Sequence, residues 1–403
     1  MAATVAYVCD ALRTPFGRCG GILADVRPDN LGAVPIEALV KRHPQIDWST
    51  VDDVVLGCVS QAGEDNRNVA RRSALLANLP ESVAGMTVNR WCGSSLEAIA
   101  VAALAIKSRE GSLFIAGGVE SASRAPFVMP KIQAAFVPGT KLADTRTGWL
   151  FANPLIHARF GTDARPEVAE NVAREFKVSR ADQDAFAYRS QQRMAAAVQR
   201  AFITEEVVPV VDRKRPSVSV LLDRDELPQP ETSLDELAEL KPVGGKGRTI
   251  TTGNASAQGD GACALLLASH AAAKRFSLTP LARVVATARA GVEPRLAGTG
   301  PVAATRRLLA NTGLRLSQLD LLELDESFAA EALAVLRALK IPDDAPFVNP
   351  NGGAIALGHP LGATGARQVT TAVHEMRRSG ARRALCAMAV GAGQGIAMLL
   401  ERV

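Results

Sequence analysis

Apolar positions along the chain alternate between short solid runs and helical repeats. Residues 51–59 predict a strand, and 67–78 a helix with an Ala/Leu face. Residues 86–89 form a short strand running into Cys92, after which Leu96, Ile99, Ala103 and Leu104 recur at helical spacing. The run 113–118 is apolar and closed by glycines, the pattern of a fully buried strand. The grammar then repeats. Residues 281–287 predict a strand, 301–310 a helix and 319–325 a strand, while Phe328, Ala332, Val335 and Leu339 mark a helix. A glycine-rich loop over 350–358 leads into a helix carrying Ala366, Val369, Val373 and Met376. Strands over 384–390 and 396–400 close the chain. The start, Met1 to Val8, has no basic segment and meets Asp10 at once, so it reads as a buried strand rather than a signal peptide.

Two halves with one strand–helix order suggest an internal duplication. Between them, 123–251 has a different texture: Pro126, Pro130, Pro138, the basic stretch Arg213, Lys214, Arg215 and Pro216, then Pro228 and Pro230, with a helix over 180–201. A loop of that length without its own structure would be unusual, so it reads as an inserted domain. The expected division is 1–122 with a strand regained in 252–277, the insertion 123–251, and a second half 278–403.

Composition narrows the class. Of 403 residues, 47% are apolar and 22% charged, which excludes a disordered chain. No apolar run is long enough to span a membrane. The net charge is +5, but only 4% of residues are aromatic and no basic tract interleaves with them. Nucleic-acid binding is thus poorly supported, and a phosphate-bearing small molecule suits the charge better. Six cysteines, at 9, 19, 58, 92, 263 and 386, form no C-x-x-C pair, which argues against a disulfide scaffold or a metal site. Reduced cytoplasmic thiols are the expectation, and one of them could be a nucleophile.

Cys92 is the first candidate. It sits in a strand-to-helix turn, where a helix N-terminus is expected to favour thiolate. His359 is the second, on a loop rich in glycine, with Pro360 disfavouring helix at its position. Acids gather at the strand end Glu323-Leu324-Asp325-Glu326, and the turn Gly391-Ala392-Gly393 offers backbone amides for an oxyanion. Cysteine, histidine and amides together are the kit for acyl transfer through a thioester.

On these residues the chain resembles the thiolases, acyl-CoA acyltransferases. The resemblance covers essentially the whole chain. It is carried by Arg13-Thr14-Pro15-Phe16-Gly17, Val88-Asn89-Arg90-Trp91-Cys92, Ala116-Gly117-Gly118-Val119-Glu120-Ser121 and Gly253-Asn254-Ala255-Ser256. The run from Asn351 to Gly365 and the turn Gly391-Ala392-Gly393-Gln394-Gly395 complete it. Residues 61–71 and 123–129 look most like the β-ketoadipyl-CoA branch. The resemblance implies an α/β fold of five layers, αβαβα, with an inserted loop domain that carries most CoA contacts. It implies Cys92 as acyl acceptor, His359 as its activator, the Gly391 amide in an oxyanion hole, and Ser256 along the pantetheine arm. Coenzyme A is then a substrate, no metal is needed, and a homodimer or homotetramer is expected.

Four positions depart from the family's pattern. Its second catalytic cysteine falls at Ala389, a methyl group that moves no proton. Cys386 lies three residues earlier, on the other face of a period-2 strand. Asp325 stands where an asparagine normally orients a water beside the histidine, and an ionised Asp would instead stabilise an imidazolium. Ser95 replaces a usual glycine, and Trp91 is bulkier than the common leucine. These departures leave three readings open. One is a thiolase in which Ala389 is a substitution made to trap an intermediate. Another is a divergent acyltransferase or hydrolase using Cys92 and His359 alone. The third is a non-catalytic acyl-CoA binder.

Overall fold

The structure, a computed structural model, describes residues 4–132, 139, 141–212 and 220–403. The first three residues, Pro138 and the basic stretch 213–216 lie outside the described residues. The first half runs β1 (Ala6–Arg13), β2 (Gly17–Arg18), α1 (Pro28–Arg42), β3 (Asp53–Gly57), α2 (Val69–Leu76), β4 (Ala84–Val88), α3 (Ser94–Ser108) and β5 (Leu113–Ser121). After β5 come a small ladder, β6 (Phe127–Val128) with β7 (Ala143–Asp144), and the helices α4 (Pro154–Phe160), α5 (Arg165–Glu175) and α6 (Arg180–Gln199). A second ladder, β8 (Val210–Val211) with β9 (Val220–Leu222), and α7 (Leu234–Glu239) follow. Then β10 (Gly259–Ser269) returns to lie antiparallel between β1 and β5, followed by α8 (His270–Arg275).

The last part repeats the first: β11 (Ala282–Gly291), α9 (Gly300–Thr312), β12 (Leu321–Leu324), α10 (Ala329–Ala338), the single turn α11 (Ala354–Leu357), α12 (Thr364–Ser379), β13 (Arg383–Val390) and β14 (Gln394–Arg402). Strand order is β4-β3-β5-β10-β1 in the first half and β12-β13-β14-β11 in the second. A parallel bridge from Leu322 to Val348 stands where β4 stands in the first half. The two orders and their parallel and antiparallel joints correspond, which is the duplication in three dimensions. The half-sheets join where Tyr7 and Val8 pair with Arg283 and Ala282.

Apolar faces set the layers. In α3, Leu96, Ile99, Ala103 and Ile106 join Ala366, Val369, Val373 and Met376 of α12 in one core between the two half-sheets. A second core packs α1 and α2 on the outer face of the first half-sheet, and a third packs α9 and α10 on that of the second. Each fully buried Leu or Ile contributes about 1.5–3 kcal/mol. Five layers result. Leu104 does not join them. It lies about 80° round the helix from Leu96, off the buried stripe, and is 53% exposed. The first strand also starts later than expected and runs through Arg13, whose buried charge is met by Glu206 at 2.8 Å and Asp225 at 2.6 Å.

Close backbone approaches aim the central helices. A Cβ at Gly57 would stand 2.3 Å from the Ser95 nitrogen, so only glycine lets the end of β3 meet the first turn of α3. Ser95 links the two central helices. Its Oγ accepts from the Ala366 amide at 2.9 Å and ties α3 to α12.

Candidate active site

Cys92 stands at the end of a turn built by its own neighbours. Asn89 Oδ1 accepts from the Trp91 amide and Ser94 Oγ from the Arg90 amide, each at 2.9 Å. The Gly93 and Ser94 amides close back on the carbonyls of Arg90 and Trp91 at 3.0 Å. Trp91 is held at φ +46°, a left-handed conformation costly for a bulky residue. Its ring lies under Gly391, where an added Cβ would be 3.0 Å away. Trp91 thus joins the Cys92 turn to the closing glycine turn.

His359 arrives from the second half. Its amide donates to the Ala257 carbonyl at 2.8 Å. Its Nδ1 lies 2.7 Å from Thr364 Oγ1, and that hydroxyl donates to the Pro360 carbonyl at 3.0 Å. Thr364 can therefore only accept from the ring, so Nδ1 carries the proton and Nε2 is left as a base. Glu120 fixes the flanking loops, accepting from the amides of Val59, Ser60 and Gly362 at 2.9–3.0 Å.

Cys92, His359, Ser256 and Gly391 all line one cavity of about 620 Å³. Residues 145–150 of the segment between β5 and β10 line it too, with Phe160, Gly161, Asp163 and Arg165. Ser256 is tied down, its amide and hydroxyl both donating to the Ser327 carbonyl at 3.0 and 3.1 Å. Asp325 and Ala389 lie behind the cavity wall. Ala389 is buried in β13, paired with Gly395. Cys386 points into the central core while Ala387 joins the outer one, so no thiol of β13 faces the position of Ala389.

Electrostatics correct one expectation. Burial pushes the Cys92 thiol up to about 12, with Asp325 and Glu331 acting in the same direction; Arg165 opposes them. The helix end does not outweigh this desolvation, so Cys92 rests as a thiol. Burial also holds His359 below its ordinary value, against the pull of Asp325, so the imidazole rests neutral. The sign for activity follows. A base must be neutral, and a lowered pKa keeps it neutral to lower pH. The acid limb of kcat/KM for acylation should lie below the ordinary histidine value of about 6.5. A pH profile with its limb at or above that value would show that the imidazole is not held neutral.

The structure adds residues that spacing does not single out. Ser327 lines the cavity, with Oγ 2.9 Å from Asp325 Oδ2 and 3.4 Å from His359 Nε2. Arg165 lines it as well, with Nη2 on Glu331 Oε2 at 2.9 Å and its guanidinium 5.4 Å from the Phe328 ring centre. Arg165 Nη1, Glu331 Oε1 and Asp325 Oδ1 are enclosed without partners. Ser327 has a faint sequence signal, two places after Asp325 at a strand end. Arg165 has none, since only the fold carries it to Cys92. Among the described residues no group of three metal-binding side chains comes together.

Comparison with known proteins agrees with this arrangement. Residues 6–271 match the family described as thiolase, N-terminal domain, and 278–402 match thiolase, C-terminal domain. The 3-oxoadipyl-CoA/3-oxo-5,6-dehydrosuberyl-CoA thiolase of Escherichia coli is 56% identical over 398 residues, 99% of each chain. A β-ketoadipyl-CoA thiolase of Pseudomonas knackmussii is 56% identical, covering 98% of this chain and 99% of that one. The crystal structure of the Bacillus anthracis acetyl-CoA acetyltransferase superposes with a TM-score of 0.92 at 33% identity, covering all of both chains. Two matched domains spanning nearly every residue, on a duplicated fold with a cysteine and a histidine lining one cavity, have one meaning: the chain belongs to the thiolase family, the acyl-CoA acyltransferases.

Proposed function

We propose that this chain cleaves a 3-oxoacyl-CoA of the 3-oxoadipyl type with CoA, passing the acyl group through a thioester on Cys92. The observation that carries the reading is that Cys92 and His359 line one cavity, with His359 Nδ1 engaged by Thr364 and Nε2 left as a base. His359 takes the thiol proton, the sulphur attacks the ketone carbon, and the Gly391 amide is the proposed donor to the oxyanion. Ser256 and the segment 123–251 are the proposed CoA side, between halves taken as 1–122 with 252–277 and 278–403. Names of the relatives support the dicarboxylic substrate. So does Arg165, the positive charge felt most strongly by Cys92. Steady-state cleavage of 3-oxoadipyl-CoA and acetoacetyl-CoA tests this. The charged substrate should win in kcat/KM by about tenfold or more, as one charge-assisted contact of ~1.5–3 kcal/mol implies. Equal values would remove the specificity. No cleavage of either, with Cys92 still acylating, would leave acyl transfer to another acceptor.

The chain is taken to work as a homo-oligomer in the cytoplasm. The open edge of β4, with Met86 exposed, supports the first, and six free cysteines support the second. No helix among the described residues is long and apolar enough to cross a membrane.

A further inference from the structure

Cleavage of a 3-oxoacyl-CoA leaves the enolate of acetyl-CoA, which needs a proton on carbon. Return of the acyl group to CoA then needs a base for the CoA thiol. Ala389 can do neither. Cys386 faces the central core, away from the cavity. Glu331 is held on one side by Arg165, and its Oε1 faces Gly298, where an added Cβ would be 2.8 Å away. Ser327 is different. Its hydroxyl stands in the cavity wall between a carboxylate and the catalytic imidazole, 2.9 Å from Asp325 Oδ2 and 3.4 Å from His359 Nε2. The second oxygen of Asp325 has no partner and no exit to solvent.

We propose that Ser327 is a further catalytic residue, the proton donor to the enolate carbon, with Asp325 as its positioning carboxylate. The inference rests on the thiolase reading above. In the first half, Nε2 takes the Cys92 proton and the sulphur–C3 bond forms. The C2–C3 bond then breaks, and its electron pair stays on the enolate. Ser327 gives its proton to C2 and takes the one on Nε2, so the hydroxyl is restored and the ring is neutral again. In the second half, CoA sulphur attacks the thioester carbon and its proton passes to Nε2. The carbon–sulphur bond to Cys92 breaks, and the thiolate recovers its proton from Nε2. No proton is gained or lost over the cycle. Asp325 serves throughout by accepting from the serine hydroxyl while the imidazolium exists, a charge-assisted bond stronger than a neutral one.

The experiment compares Ser327→Ala with the parent in two assays: steady-state cleavage of 3-oxoadipyl-CoA, and acetylation of Cys92 by acetyl-CoA followed by intact mass. Cleavage should fall by ~10²–10⁴-fold, the usual worth of a positioned acid/base. Acetylation should fall by less than about tenfold, because a thiolate leaves without the help a carbanion needs; it also reports that the variant is folded. Adding Ala389→Cys to Ser327→Ala should recover cleavage at least about tenfold, since a second acid/base then reaches the enolate. Equal losses in the two assays would mean that Ser327 only positions His359. Undiminished cleavage by Ser327→Ala would overturn the step and leave the thiolase reading standing. A parent that acetylates Cys92 but cleaves nothing would overturn that reading and this step with it.

Discussion

Cys92→Ala should gain no acyl mass from acetyl-CoA, while the parent gains one acetyl group, and cleavage should fall by about 10⁴–10⁶-fold, as when a nucleophile is deleted from a catalytic unit. The expectation does not depend on a preformed thiolate. Burial holds the thiol protonated, and the same burial holds His359 neutral, so the resting pair is thiol and imidazole. Proton transfer between them belongs to the attack, when substrate has displaced water and the new negative charge passes to the carbonyl oxygen. Five other cysteines cannot stand in: Cys9, Cys58, Cys263 and Cys386 are buried in the cores or beside them, and Cys19 lies against Arg146 on the surface. Peptide mapping of the acylated parent should therefore place the adduct on Cys92 alone. An adduct on another cysteine, or an unchanged mass gain in Cys92→Ala, would remove Cys92 from the mechanism. An unmodified parent that still binds acyl-CoA would leave a binding protein.

Cys92 and His359, which line one cavity, stand out as candidates in the sequence because each sits in a segment whose small residues and turn chemistry have no other evident use. The layers are legible for the same kind of reason: Leu96 with Ile99, and Val369 with Val373, fix helix faces by spacing alone. The acidity of Cys92 is not legible. A helix end is a local feature, whereas the burial that overrides it is made by distant segments, such as Val390 and Ile396 packed over Gly93. Ser327 and Arg165 are hidden for a related reason. Ser327 gains its chemistry only when β12 delivers Asp325 and the loop after α11 delivers His359 to the same wall. Arg165 lies 73 positions from Cys92 in sequence and meets it only through α5. Leu104 errs in the other direction, since an apolar residue 80° off the stripe reads as core until the stripe's edge is known.

Ala389→Cys should raise cleavage of 3-oxoadipyl-CoA by ~10²-fold or more, because a thiol replaces an alcohol as the nearest proton carrier to the enolate, and its acidity lies far closer to neutral pH. The gain should not be the same in both halves. Asp325 sits one strand away, its amide donating to the Ala387 carbonyl at 2.9 Å, and its Oδ1 is buried without a partner. A negative charge there disfavours a second one on β13, so the introduced thiol is held protonated. That state suits the donation of a proton to the enolate. It hinders the removal of one from CoA. Acylation of Cys92 by 3-oxoadipyl-CoA should therefore speed up more than the return of the acyl group to CoA, and acyl-enzyme should accumulate in the steady state. Asp325→Asn in the same chain should relieve the second half and lower the acyl-enzyme fraction. Rapid-quench intact mass reads both quantities directly. If Ala389→Cys speeds neither half, the proton does not enter from the β13 side at all, and Ser327 alone serves the carbon. If it speeds both alike, with no effect of Asp325→Asn, then Asp325 carries no charge during turnover, and its hydrogen bond to Ser327 is that of a carboxylic acid.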